Sequence, residues 1–472
     1  MSDVLWTAAD AKAATGGEGP ETWQASGIAL DSRSVRQGDL FVALKGERVD
    51  GHDYVAQALA NGAAAAIVER WPHVIGPEAP LLVVKNALDG LRALGRAARS
   101  RSSAKIAAVT GSVGKTGTKE MLARVLARQA KTYASAGNLN SESGAPLALA
   151  RLPEDARYAV LELGMNKPGE IRANTAIVRP HVALVTTVEA VHLEFFGSIE
   201  AIADAKAEIF EGLVPGGAAI LNRDNPQFER LADRALSFGA RILTFGEHEM
   251  ANARATKIVV KEHCACIAAN VEGESVAYKI AMPGRHWAIN SLAVLLAAKA
   301  LGADLALAAV ELAQAGPLRG RGERRHIRFP VGRFLLVDES YNASPVATKA
   351  AIESFASAPV GSRGRRIAVL GDMRELGPTA KALHEALAPA IVAAKIDRVF
   401  TCGPLMRALH DALPPAIRGG HAADSVAVAP LVAGTARAGD AILVKGSLGS
   451  RMAVVVEALE ALDCGEAGEA AD

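Results

Sequence analysis

Short apolar runs, each closed by Gly or a polar cluster and followed by a helical spacing of apolar positions, recur through most of the chain. The runs at 106–110, 158–163, 182–187 and 218–221 predict buried strands. Their apolarity is continuous rather than alternating, which points to a parallel sheet with crossover helices. The same grammar returns at 334–338, 366–370, 398–402 and 441–444, predicting a second doubly wound unit. Between the two, residues 241–281 carry short runs separated by Gly and charged residues, predicting further β structure, and a helix follows from near Trp287 to Ala300. The first hundred residues are broken more often by turn signals and predict a small α/β module that ends in a basic helix at 87–101. Ser102-Ser103 and the Gly/Pro/Arg stretch 314–322 read as boundaries. The expected fold is α/β in three domains, 1–103, 104–316 and 317–472, the central one built on a parallel sheet and the last Rossmann-like.

Composition changes this picture little. A chain of 472 residues is too long for one core. No stretch offers 18 uninterrupted strongly apolar residues, so no membrane span is expected, and the N-terminus lacks the pattern of a secretory signal, which makes the cytoplasm the expected location. Four cysteines, with Cys264 and Cys266 placed in a strand and Cys402 and Cys464 standing alone, form neither a disulfide framework nor a zinc pattern. Lys and Arg number 52 against 51 Asp and Glu, which leaves no electrostatic footprint for nucleic acid. The acidic, Ala/Gly-rich tail after Asp463 is expected to be disordered.

Candidate chemistry begins where the 106–110 strand meets Gly111-Ser112-Val113-Gly114-Lys115-Thr116. Strand, Gly-rich turn and helix in this order form an anion site, with backbone N–H groups cradling phosphate, Lys115 reaching the terminal phosphates and Thr116 a Mg²⁺ ion. The full motif would have Gly where Val109 stands, so the loop is a shortened variant. Glu162, at the end of another strand, can supply a hard oxygen ligand or merely cap a turn. His192 follows a third strand, and a lone His there is most often a satisfied loop residue. Lys206 falls on an amphipathic helix where a solvated lysine is the ordinary expectation. Asn138 and Asn140 share a polar turn one crossover after the phosphate loop. The segment Asp338-Glu-Ser-Tyr-Asn-Ala-Ser-Pro345 puts polar groups at a strand end with Pro345 opening a helix, which suits ribose or base recognition or a plain N-cap.

Taken together, Asp31-Ser-Arg33, Asp39–Leu44, Asp50-Gly-His52, the phosphate loop, Gly137-Asn-x-Asn140, Glu162-x-Gly164, His192-Leu193, Lys206-Ala-Glu208, Asp338–Asn342, Gly371–Gly377 and Lys445-Gly-Ser447 resemble the Mur ligases over nearly the whole chain. The resemblance is strongest to the branch that adds D-alanyl-D-alanine to UDP-MurNAc-tripeptide. It implies a UDP-substrate-binding N-terminal domain, a central ATPase, and a C-terminal domain that closes over ATP and receives the dipeptide, with ligation through an acyl phosphate. It further implies that Gly111–Thr116 bind ATP, that Thr116 and Glu162 hold one Mg²⁺, and that His192 holds a second beside a carbamate on Lys206. Lys115, Lys206, His192 and Glu162 become the catalytic set. Asn290 would contact adenine; Arg319 and Asp338 the phosphates and ribose, with Asn342 also on ATP; Ser32 and Arg33 the uridine end; Lys45, Asn138 and Asn140 would also bind the substrate. A monomer is expected. Two departures stand out: Trp287 in Gly284-Arg-His-Trp, where relatives commonly have Asn, and Ser141, where they often have another Asn. The run typical of the ligase that adds the third stem residue is absent, folylpolyglutamate ligases lack a module matching residues 1–103, and a mere nucleotide switch has no use for the second-metal residues.

Overall fold

The computed structural model describes residues 4–46, 49–73, 75–137, 139–191, 193–329 and 331–464. The tail expected to be disordered lies almost wholly outside these. Besides a short antiparallel pair, Trp6–Thr7 with Gln24–Ala25, three larger sheets follow one another along the chain. The first has four parallel strands in sequence order, Gly27–Ala29, Asp39–Val42, Ala65–Val68 and Leu81–Val83. The helix Ala87–Arg101 behind it buries Leu91, Leu94 and Ala98. Their core also takes in Leu147 and Ala150 of the next unit, and the Trp6 indole N–H donates to the Ala150 carbonyl at 2.9 Å. Ser102, read from the sequence as part of a boundary, is buried. Both sides share one hydrophobic core there.

The second sheet has nine strands. Its central order runs Arg241–Gly246, Ala218–Asn222, Val182–Val185, Lys105–Thr110, Tyr158–Glu162 and Thr132–Ala134, all parallel. Beyond Arg241–Gly246 the strands Ala253–Val260, Ala265–Val271 and Glu274–Ile280 form an antiparallel meander, so the sheet is mixed rather than purely parallel. The reason is local. Glu272 and Gly273 both have positive φ, 48° and 90°, which makes a two-residue hairpin, and a hairpin can join only antiparallel strands. Burial alternates along Ala265–Val271, as expected of strands with one wet face. Cys266 lies in this strand and Cys264 just before it.

The third sheet runs Glu323–Arg328, Arg333–Glu339, Ala441–Lys445, Arg366–Gly371, Arg398–Cys402 and Arg418–Ala422, parallel except for its first pair. In both large sheets the chain order reverses about a central strand, and the crevice such a reversal opens lies at the carboxyl ends. In the second sheet Val109 is in register with Glu162 and Thr110 with Val185. The phosphate loop, the segment after Glu162 and the segment after Val185 therefore emerge side by side. The two units meet there: the Glu194 N–H donates to the Glu375 carbonyl at 3.4 Å, and Gly377 approaches the Glu194 Cα. Among the described residues, no helix is long and apolar enough to cross a membrane.

Candidate active site

The strand Lys105–Thr110 delivers the chain into the loop from a fully buried run, and the helix Lys115–Ala127 starts at Lys115 without a side-chain cap. Its first N–H groups are thus free to face an anion. The loop is braced from the neighbouring strand end. Ser112 N–H donates to the Thr187 carbonyl at 2.8 Å, the Ser112 hydroxyl both accepts from Glu189 N–H and donates to its carbonyl, and the Thr186 hydroxyl donates to the Val113 carbonyl at 2.6 Å. Lys115 curls back so that its ammonium donates to the Gly111 carbonyl at 2.7 Å. Burial lowers its pKa, Glu162 opposes that shift, and Arg321 reinforces it.

Two positions, one in the loop and one in the first turn of the helix, require glycine. Gly114 has φ +87°, and a Cβ there would stand 2.5 Å from the Asn290 amide nitrogen. A Cβ on Gly117 would stand 2.1 Å from the Trp287 ring. The two observations seat the helix Arg285–Ala300 directly on the phosphate loop, and Trp287, the residue that departs from the expected pattern, is the side chain that covers the first turn after it.

Glu162 is 2% exposed and holds two contacts at once. One oxygen accepts from the Thr116 hydroxyl at 2.8 Å and the other from the Asn140 amide at 2.7 Å. Two hard oxygen donors thus face each other at the mouth of the anion loop, a donor set that fits Mg²⁺. Among the described residues, no three His, Cys, Asp or Glu side chains converge as a metal group. Lys206, on the helix Ile199–Ala207, is not solvated: it is 2% exposed, and among the described residues its ammonium has no hydrogen-bond or ion-pair partner. Burial, with the Lys115 charge in addition, pushes its pKa well below the usual lysine value. Just after it, the buried Glu208 carboxylate accepts from Gly169 N–H at 2.7 Å and Arg172 N–H at 3.0 Å, locking the segment after Glu162 onto the segment that carries Lys206.

Lys115, Thr116, Glu162, Asn140 and Asn290 are therefore brought together, with Lys206 within electrostatic reach of Lys115. His192 and Asn138 lie outside the described residues. Arg319 is elsewhere: its side chain is 73% exposed and its guanidinium lies 4.0 Å from Glu460. Asp338 is buried with its carboxylate accepting from Gly320 and Ser340 N–H, and Asn342 is exposed with its side-chain oxygen on Ala343 N–H. In the N-terminal unit the Ser32 hydroxyl donates to Gln57, Arg33 is 82% exposed and paired with Asp31, and Lys45 is exposed. Ser141 donates no side chain to Glu162; its hydroxyl instead accepts from Gly144 N–H. The sequence reading did not single out Thr186, Lys119, Glu208 by itself, or Arg321, which stacks on Tyr341 at 4.0 Å and bears on Lys115. The spacing of the Arg319-Gly-Arg-Gly322 stretch gives no means of choosing between its two arginines.

Three family models match in order: "Mur ligase family, catalytic domain" over 24–127, "Mur ligase middle domain" over 109–298 and "Mur ligase, glutamate ligase domain" over 320–448. The UDP-N-acetylmuramoyl-tripeptide--D-alanyl-D-alanine ligase of Escherichia coli is 37% identical over 441 residues, 92% of this chain and 93% of that one. The chain belongs to the Mur ligase family. Among solved members, a MurF structure from Acinetobacter baumannii superposes with a TM-score of 0.85 at 32% identity, covering 97% of this chain and 99% of the other. The MurF ligase of Thermotoga maritima in complex with ADP does so with a TM-score of 0.76 at 29% identity, covering 92% and 97%.

Proposed function

We propose that this Mur ligase joins D-alanyl-D-alanine to UDP-MurNAc-tripeptide at the expense of ATP, giving UDP-MurNAc-pentapeptide for peptidoglycan synthesis. The observation that carries the reading is the convergence of Lys115, Thr116, Glu162 and a buried Lys206 on one sheet edge, in a chain that spans its D-alanyl-D-alanine-adding relatives almost end to end. The substrate carboxylate attacks the γ-phosphorus in line, ADP leaves, and an acyl phosphate forms. The dipeptide amine then adds to that acyl carbon, phosphate departs, and the amine loses a proton. Lys115 and the loop N–H groups offset charge on the transferring phosphoryl group. Asn140 holds one Glu162 oxygen, which leaves the other directed at Thr116. Thr116 and Glu162 would hold one Mg²⁺, and His192 with a carbamate on Lys206 a second, and these ions would neutralise phosphate charge when bound. Burial favours the neutral Lys206 amine, which can add to CO₂ with release of a proton, turning a cation into an oxygen ligand.

In this reading residues 1–103 bind the UDP end through Ser32, Arg33 and Lys45, and Asn138 and Asn140 bind the rest of the sugar peptide. Residues 104–316 hold ATP, with Asn290 on adenine. Residues 317–472 close over it, Arg319 swinging from Glu460 to the phosphates and Asp338 and Asn342 meeting the ribose side. The enzyme works as a cytoplasmic monomer. Phosphate release from ATP, measured with UDP-MurNAc-tripeptide in the presence and absence of D-alanyl-D-alanine, tests the assignment. Release that requires both and yields the pentapeptide supports it. Incorporation of a single amino acid in place of the dipeptide overturns it.

A further inference from the structure

Lys119 lies one helical turn beyond Lys115 on Lys115–Ala127 and is 0% exposed. A buried ammonium is retained only where its protons are taken up. Here they are: it donates to the Ser135 carbonyl at 2.5 Å and to the Gly137 carbonyl at 3.3 Å, and it pairs with Glu120 at 2.7 Å. Both carbonyls belong to the turn that follows the strand Thr132–Ala134 and leads into Asn140. Ser135, itself 1% exposed, passes the constraint on, since its hydroxyl accepts from Glu162 N–H at 3.2 Å. Asn140 then closes the circuit through its side-chain amide on Glu162 and its carbonyl, which accepts from Gly164 N–H at 2.9 Å.

We infer that Lys119 is a positioning residue: it fastens the substrate-side segment that carries Ser135 and Gly137 to the helix that carries Lys115 and Thr116, and so sets where Asn140 and Glu162 stand relative to the phosphate loop. The inference rests on the ligase reading above. Among the described residues Lys119 makes no hydrogen bond to the loop or to Asn290, so its loss is felt through Asn140 and Glu162, while ADP binding by the loop itself is spared. An aliphatic chain of similar length, Lys119→Met, removes the charge and keeps the volume.

The test compares Lys119→Met with the wild-type enzyme by ADP titration, UDP-MurNAc-tripeptide titration, hydrogen exchange over 133–141 and steady-state ligation. The expected result is ADP affinity within about twofold, UDP-MurNAc-tripeptide affinity and kcat each lower by about tenfold or more, and faster exchange over 133–141 with the helix 115–127 unchanged. Unchanged UDP-MurNAc-tripeptide affinity and kcat, or an equal loss of ADP affinity, overturns the inference. Should Lys119→Met fail to fold, Ser135→Ala removes the relay to Glu162 N–H alone; a drop in kcat with ADP binding kept supports the inference, and wild-type kcat overturns it. Failure of the ligase reading is seen separately, as wild-type enzyme that binds ADP and makes no pentapeptide.

Discussion

Lys206 illustrates how far a single residue's role depends on what surrounds it. On the amphipathic helix Ile199–Ala207 its spacing is that of a solvated lysine, yet it is buried beside Lys115 with its pKa well depressed. A cationic lysine gains nothing in such a place, whereas a carbamate supplies a ligand oxygen. Lys206→Ala should therefore lower ligation by about two to three orders of magnitude while ADP still binds, with partial return on adding formate or acetate. Near wild-type turnover in the variant would sink the carbamate. Glu162 and Thr116 were legible in the sequence because both sit where parallel strands end, and the in-register pairing of Val109 with Glu162 makes strand ends neighbours in space. Lys206 as a site residue was reached only through family resemblance, its burial and Lys119 not at all, because burial of a long charged side chain is decided by tertiary neighbours that no helical spacing encodes. Arg319 and Arg321 were inseparable for a similar reason: both sit in one Gly-rich turn, and only the folded chain sends one towards Glu460 and the other onto Tyr341.

Among the elements, the loop Gly371–Gly377 shows how a neutral histidine can hold a functional edge in shape. His384, 0% exposed, accepts from Met373 N–H through Nε2 at 3.0 Å, so the proton must sit on Nδ1, which donates to the Ala380 carbonyl at 2.6 Å. Burial lowers its pKa. An unfolded His titrates near 6.5, so the folded state resists a proton that the unfolded state takes up. No stability is lost to this residue above about pH 6.5, and stability falls progressively as pH drops from there to the lowered folded value, by about 1.4 kcal/mol for each unit of depression. His384→Gln keeps an acceptor and a donor without the titration. Thermal melts at pH 8 and pH 5.5 should show a smaller acid loss for this variant than for the wild type, and equal losses would refute the assignment. The parallel strands of this unit and of the central sheet were legible as continuous apolar runs. The antiparallel meander was legible only as extra β structure, because its direction is set by the two positive-φ residues Glu272 and Gly273, and Glu272 carries no glycine-like signature.

For the whole molecule, the two boundaries foreseen in the chain have different physical characters. Near Ser102 the N-terminal helix shares a core with Leu147 and Ala150, so the first two units are held together by hydrophobic burial. The C-terminal unit meets the central one through smaller contacts: Arg324 on the Glu262 carbonyl, Arg321 towards Lys115, and Glu375–Gly377 against Glu194. The sequence could mark where composition changes but not which seam is a shared core and which is not. A seam without a shared core is the one that can open and close, and an acyl phosphate must be kept from water while it lasts. Gly377 is the test of that seam. It has φ +60°, and a Cβ on it would stand 3.3 Å from the Glu194 Cα. Gly377→Val meets both obstacles, a left-handed backbone costing about 1–2 kcal/mol and a branched side chain pressed on the segment that leads from residue 192. ADP binding, which depends on the phosphate loop, should stay within about twofold, whereas kcat for pentapeptide formation should fall by about tenfold or more. The ratio of phosphate released to pentapeptide formed should rise above one as water reaches the acyl phosphate. A ratio of one with undiminished kcat would mean that this contact has no part in closure.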